Sequence, residues 1–320
     1  MDKPVVVVSK CLGFDHCRYN GQVIPDGFVE KLSAYVDMKP VCPEMAIGLG
    51  VPRDPVRISL EDGQSRMHQP ATGKDFTDAM QQFTHEFLTA LPVVDGFIMK
   101  SRSPSCGIRD TKIFHHKDRP DTGTDRGGGL FGGQLKERFP GAAIEDEGRL
   151  KNFTIREHFL AHLFARVRFR EARQAGKISA LMDFHSRYKY LFLAYNEQAM
   201  RICGKITANH DHLSLETVFD RYEAGLADIF AAPARPTALI NMVMHAFGII
   251  SDNLSSEEKR FFLNTLENYR DERIPLATLT HLLHSYAVRF DTPYLKNQAF
   301  LQPYPPDLVE ITDSGKGRNR

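Results

Sequence analysis

Through the first 150 residues, short apolar runs alternate with amphipathic stretches and with turns containing glycine or proline. That rhythm is expected of a βα-repeating domain with a mostly parallel sheet. Its strands are expected at residues 5–8, around 40–41, at 96–99 and at 142–144. From residue 153 the period becomes helical, in FTIREHFLAHLFARVRFREARQ and then SALMDFHSRYKYLFLAYNEQAM. Phe184, Tyr188, Leu191 and Tyr195 recur there as one apolar stripe. Further helices are expected over 213–230, 236–250, 255–269 and 276–288. The fold class is therefore a three-layer α/β domain over residues 1–150 followed by an all-α domain over 151–312. The polar tail 313–320 is expected to be disordered.

Length and composition agree with two domains, since 320 residues at 42% hydrophobic content supply two ordinary cores. The apolar run after MDKP is too short for a signal peptide, and the stretch over 238–250 contains His245 and is too short to span a bilayer. A cytoplasmic protein with no membrane association is expected. Net charge is only +1, but residues 151–205 hold 11 Lys+Arg against 4 Asp+Glu. Within that segment Arg166, Arg170, Arg173 and Lys177 recur at steps that put them on one helix face. Such a stripe suits a phosphate backbone, although a solvated helix face is the commoner outcome. Arg187 and Lys189 join it as RNA-binding candidates, while Tyr188 belongs to the apolar stripe and is expected in the core.

Five cysteines in a chain without CxxC argue for reduced thiols rather than a disulfide scaffold or a zinc knuckle. Cys11, Cys42 and Cys106 each follow a short apolar run, and neighbouring strands of a parallel sheet bring such positions to one edge. Iron–sulfur clusters take thiolates from separate loops, and three ligands leave one iron open. Cys17 is expected to be a small buried residue. Glu44, two residues after Cys42, is placed for proton transfer beside a metal-bound thiolate. Arg53 is a candidate contact for an anionic substrate. The hydroxyls of Ser101, Ser103 and Ser105 surround Cys106, where they can donate to cluster sulfurs or orient a substrate. The glycine-rich DRGGGLFGGQL reads as a flap over the site.

The segments VSKCLGFDHCRYNG, VCPEMAIGLGVPR and KSRSPSCG resemble, in order and spacing, the signature segments of the thiouracil desulfidase family. The resemblance implies a [4Fe-4S] cluster with three cysteine ligands, Cys11, Cys42 and Cys106, whose open iron takes sulfur from a thiolated uracil. It further implies that Glu44 is the catalytic acid/base and Ser103 a substrate-orienting hydroxyl. The second half, with FHSRYKYLFLAYN, is similar to a helical domain fused to such modules in bacterial enzymes acting on 4-thiouridine. The expected partner is then tRNA or a thiolated uridine nucleotide, desulfurated without redox change and with release of sulfide. Two other classes stay open at this point: a zinc-dependent hydrolase acting on a nucleobase through the same cysteines, and a non-catalytic RNA-binding iron–sulfur module.

Overall fold

The computed structural model describes residues 2–117 and 123–310, so the tail expected at 313–320 lies outside the described residues. The chain divides into two compact units, one running to residue 159 and rejoined by 308–310, the other spanning 160–307. In the first unit the order is β1 (Val5–Ser9), α1 (Gly27–Ser33), β2 (Asp37–Val41), α2 (Pro43–Ala46), β3 (Arg57–Glu61), β4 (Gln64–Gln69), β5 (Lys74–Asp75), α3 (Thr77–Ala90) and β6 (Gly96–Met99). It continues through β7 (Thr111–Phe114), β8 (Thr124–Gly127), α4 (Leu135–Arg138) and β9 (Ala143–Asp146) into the start of α5 (Phe153–Gln174).

Four of these strands form a parallel sheet in the order β2-β1-β6-β9. The central position of β1 explains its unbroken valines, because a strand covered on both faces has no polar face to show. Val6, Val7 and Val8 are fully buried. The order also places the carboxyl ends of β2, β1 and β6 side by side.

A second, mixed sheet of five strands runs β5-β4-β3-β7-β8, and the apolar pattern does not announce it. Its strands RISLE and QSRMHQ lack a long apolar run, the first bounded by Arg57 and Glu61 and the second holding Met67 as its one apolar residue. The hairpin joining them turns at Asp62–Gly63, both at positive φ (51° and 77°), as the tight turns that match strand twist require.

The second unit is helical throughout: the rest of α5, then α6 (Ile178–Tyr195), α7 (Glu197–Ala208), α8 (Leu215–Ile229), α9 (Pro236–Ile250), α10 (Ser256–Arg270), α11 (Leu276–Arg289) and α12 (Pro293–Lys296). The Phe184–Tyr188–Leu191 stripe lies in its core with Tyr222, Val243 and Leu283. The stretch expected as one helix to residue 200 breaks at Asn196, whose side chain accepts from the Ala199 amide at 3.1 Å and starts α7.

The division between the units falls inside α5, nine residues after the expected boundary. Arg156 ties the first turn of that helix to the first unit, donating to the carbonyls of Leu150 (2.8 Å) and Glu310 (2.5 Å). Among the described residues no helix is long and apolar enough to cross a membrane.

Candidate functional site

Each cysteine of the expected set leaves the parallel sheet by a turn that aims it at the same edge. Cys11 follows β1, and the chain folds back there, with Gly13 at φ +90° and the Cys11 carbonyl accepting from Ile24 N at 2.8 Å. Cys42 stands between β2 and the single turn α2, where Pro43 fits the first helical position. Cys106 closes the loop after β6. All three line one cavity of about 410 Å³ with Cys17, Tyr19, Glu44, Arg53, Lys100, Ser101, Ser103 and Ser105.

Glu44 is buried and held from both sides. Its Oε2 accepts from Arg53 Nε (3.0 Å) and Nη2 (2.6 Å), and its Oε1 accepts from Ser105 Oγ (2.8 Å). Arg53 donates its remaining reach to the carbonyls of Cys17 (3.1 Å) and Gly50 (3.0 Å). Arg53, expected as a contact for an anionic substrate, lines the cavity with its guanidinium held on Glu44 and on the loop carbonyls.

Ser105 follows suit: it serves Glu44 directly. Ser103 Oγ accepts from the amides of Ser105 (3.3 Å) and Cys106 (3.1 Å), which fixes the cysteine's turn, and stands 3.0 Å from Ser105 Oγ. With Ser105 donating to Glu44, the hydroxyl proton of Ser103 is directed at Ser105.

Ser101 is likewise engaged, by a residue that the sequence reading missed. Glu147, just past β9, accepts from Ser101 N (2.7 Å) and Ser101 Oγ (2.9 Å), and pairs with Lys100 Nζ. The signal was available in the acidic triplet 145–147, which ends β9 and runs one residue past it. Its partners, however, lie more than 45 positions away.

The thiols raise one another's cost of ionisation. Burial pushes Cys11 up to about 12, with Cys17 and Cys42 adding to the rise and Lys100 opposing it. Burial and the neighbouring Cys42 also push Cys17 to about 12, and burial drives Cys106 well above an ordinary thiol. Thiolates gathered this way are favourable only with a compensating positive group among them, so the donor set fits a thiolate-bound iron–sulfur cluster. Among the described residues no three His, Cys, Asp or Glu side chains are grouped to hold a single metal ion. Cys17 is buried as expected, yet it belongs to the cavity wall. Cys203 lies buried in α7.

The glycine-rich segment is no flap. Its amides bond to the Cys106 loop, from Gly129 N to Gly107 O (2.7 Å), Leu130 N to Pro104 O (3.0 Å) and Gly132 N to Ser105 O (2.9 Å). None of Gly128, Gly129, Gly132 and Gly133 stands at positive φ. What they supply is the missing Cβ: one built on Gly129 or Gly132 would stand 2.4 Å from Ser105 O or 2.1 Å from Cys106 O.

The basic stripe also changes. α5 ends at Gln174 and the chain turns at Gly176 (φ +60°), so Lys177 precedes α6 and shares no helix face with the three arginines. Arg166 and Arg173 are partly buried against α8, paired with Glu223 at 3.2 and 2.9 Å, and Arg173 also pairs with Asp220. Arg170 is half-buried. Lys177, Arg187 and Lys189 are exposed, and among the described residues they form no ion pair. Tyr188 is buried beside Phe184, with ring centroids 4.7 Å apart.

Residues 6–147 match the family described as 2-thiouracil desulfurase. That segment belongs to this family. The desulfurase match encloses Cys11, Cys42, Glu44 and Cys106 together with the Lys100–Glu147 pair. Residues 189–305 match a second family, described as a protein of unknown function (DUF1722). The uncharacterized protein YbgA of Escherichia coli is 26% identical over 158 residues, 49% of this chain and 93% of YbgA. The uncharacterized protein YbbK of Bacillus subtilis is 32% identical over 113 residues, 32% of this chain and 73% of YbbK. Among solved structures, the [4Fe-4S]-dependent thiouracil desulfidase TudS is 26% identical, with 46% of this chain and 93% of TudS covered and a TM-score of 0.38.

Proposed function

We propose that this desulfurase-family protein converts 4-thiouridine, in tRNA or as the nucleotide, to uridine with release of sulfide. The observation that carries this reading is the meeting of three thiols from three loops with a clamped carboxylate in one cavity, inside the segment that matches the family. Cys11, Cys42 and Cys106 would hold a [4Fe-4S] cluster. Bound there, the cluster would supply Lewis-acid chemistry toward a thiocarbonyl sulfur.

The chain's own residues manage water and protons. Glu44, fixed by Arg53, takes a proton from the water that adds to the sulfur-bearing ring carbon. Ser105 holds the Oε1 side of that carboxylate, and Ser103 connects it to the cavity. Lys100 keeps a cation against the thiol group and is itself steadied by Glu147. The balance is C=S plus H₂O giving C=O plus H₂S, with no electron acceptor required.

Anaerobic incubation of the iron-reconstituted protein with 4-thiouridine monophosphate and with thiolated tRNA tests the reading. Loss of thiocarbonyl absorbance matched by released sulfide is expected on at least one of the two. A brown protein that turns over neither would overturn the substrate, and a colourless zinc protein would overturn the cluster.

The RNA side rests on the helical unit's exposed cations rather than on the α5 arginines. Replacing Lys177, Arg187 and Lys189 together by glutamine is expected to weaken tRNA binding and to lower its salt slope by about 2–3, near one per lost phosphate contact. Binding isotherms at several salt concentrations check this, and an unchanged slope would place the RNA elsewhere.

A further inference from the structure

The first unit keeps its large apolar side chains inside with few exceptions. Among its described residues up to 159, the exposed ones are Phe14, Tyr19, Met45, Val51 and Val93. Single exposed apolar residues are ordinary, but four of these five lie in the two segments that follow β1 and β2 and carry Cys11 and Cys42.

Two of the four, Tyr19 and Met45, meet Arg53, and Val51 packs near Gly21. Arg53 N bonds to Tyr19 O at 2.8 Å, Met45 Sδ stands 3.8 Å from Arg53 Nη1, and Val51 Cγ1 lies 3.6 Å from where a side chain on Gly21 would begin. Tyr19 lines the cavity itself and is 42% exposed. The Arg18 guanidinium sits 5.6 Å from its ring centroid. An accessible ring backed by a guanidinium and lining a polar cavity is the combination on which unpaired nucleobases stack.

We infer that Tyr19, backed by Arg18, stacks the nucleobase adjacent to the thiolated uracil in an RNA strand. This deepens the reading given above and rests on a thiolated uridine being the substrate. A base acted on in a cavity has to leave its own stack, and a platform at the mouth replaces the contact its neighbour loses. A free nucleotide has no neighbouring base and gains nothing from the platform. Part of the RNA recognition then belongs to the cysteine-bearing unit, independently of the helical unit's cations.

The test compares two substrates and one spectroscopic signal. Tyr19→Ala is expected to lower kcat/KM for a thiolated RNA about tenfold more than for 4-thiouridine monophosphate, mostly through KM, as the loss of one base–aromatic stack would do. Tyr19→Trp should restore the RNA substrate. Because the chain contains no tryptophan, that indole is the single one, and unthiolated single-stranded RNA should quench its emission while uridine monophosphate does not. Equal losses on both substrates, or an indole indifferent to RNA, would overturn the inference. Quenching is read without turnover, so a wild-type protein inactive on both substrates would defeat the substrate reading and leave the stacking result to stand or fall alone.

Discussion

Glu44→Gln is expected to lower turnover of a thiolated uridine about a hundred- to a thousandfold while iron content stays at the wild-type level, a loss within the range for removing one positioned proton acceptor. Glutamine is the informative replacement because the site can accommodate its shape. Its amide oxygen can take the place of Oε2 and keep the Arg53 donors at 3.0 and 2.6 Å. Its amide nitrogen then meets Ser105 Oγ, which must become the acceptor and turn its own proton toward Ser103, 3.0 Å away. The hydroxyl chain reverses and the packing survives, while the basic lone pair and the negative charge facing Arg53 are lost, so a smaller loss of stability accompanies the loss of turnover.

Glu44→Ala asks a different question. Arg53 and Glu44 are nearly enclosed, with side chains 6% and 11% exposed, and removing one partner leaves a buried charge unpaired at a cost of about 3–5 kcal/mol. The alanine variant should therefore lose stability as well as turnover, and a thermal melt beside the iron assay separates the two. Full turnover by Glu44→Gln with its cluster intact would remove Glu44 from proton transfer and leave it as Arg53's counter-ion.

Where local pattern carries the information, the sequence reading and the structure meet. Residues 5–8 read as a strand, which the structure places in the centre of the sheet, and the position of Cys11 just beyond them follows. The cysteine loops are legible because strand ends are legible. Partners distant in sequence are not. The arginines of α5 look like a solvated stripe until Glu223 and Asp220 arrive from about 50 residues downstream. Glu147 looks like one acidic residue among three until Lys100 and Ser101 are beside it. The second sheet was signalled by Asp62–Gly63, a tight-turn pair, and by the alternation of RISLE, but QSRMHQ, with Met67 as its one apolar residue, shows no alternation to pair with it.

The glycine-rich segment shows a different kind of illegibility, since glycine serves a chain either by reaching positive φ or by having no side chain, and the letters do not distinguish the two. Gly132 does the second. Its backbone angles suit alanine, but an added Cβ would lie 2.1 Å from Cys106 O, 2.6 Å from Cys106 C and 2.6 Å from Gly107 O, all of them main-chain atoms that cannot swing aside. Gly132→Ala is therefore expected to destabilise the first unit by about 3 kcal/mol, the upper end of ordinary overpacking costs, and to displace the loop that presents Cys106 and Ser105. Iron retained after reconstitution should fall with it, because the displaced loop carries one of the three thiols and the hydroxyl on Glu44.

Gly248→Ala supplies the contrast. That glycine lies inside α9 with nothing within 4 Å of an added Cβ, so alanine there should be neutral or stabilise by up to about 1 kcal/mol through helix propensity. Thermal melts of the two variants, read with iron content per chain, decide the matter. If Gly132→Ala melts like wild type and takes up a full complement of iron, the segment is not the rigid backing of the cysteine loop, and the flap reading returns.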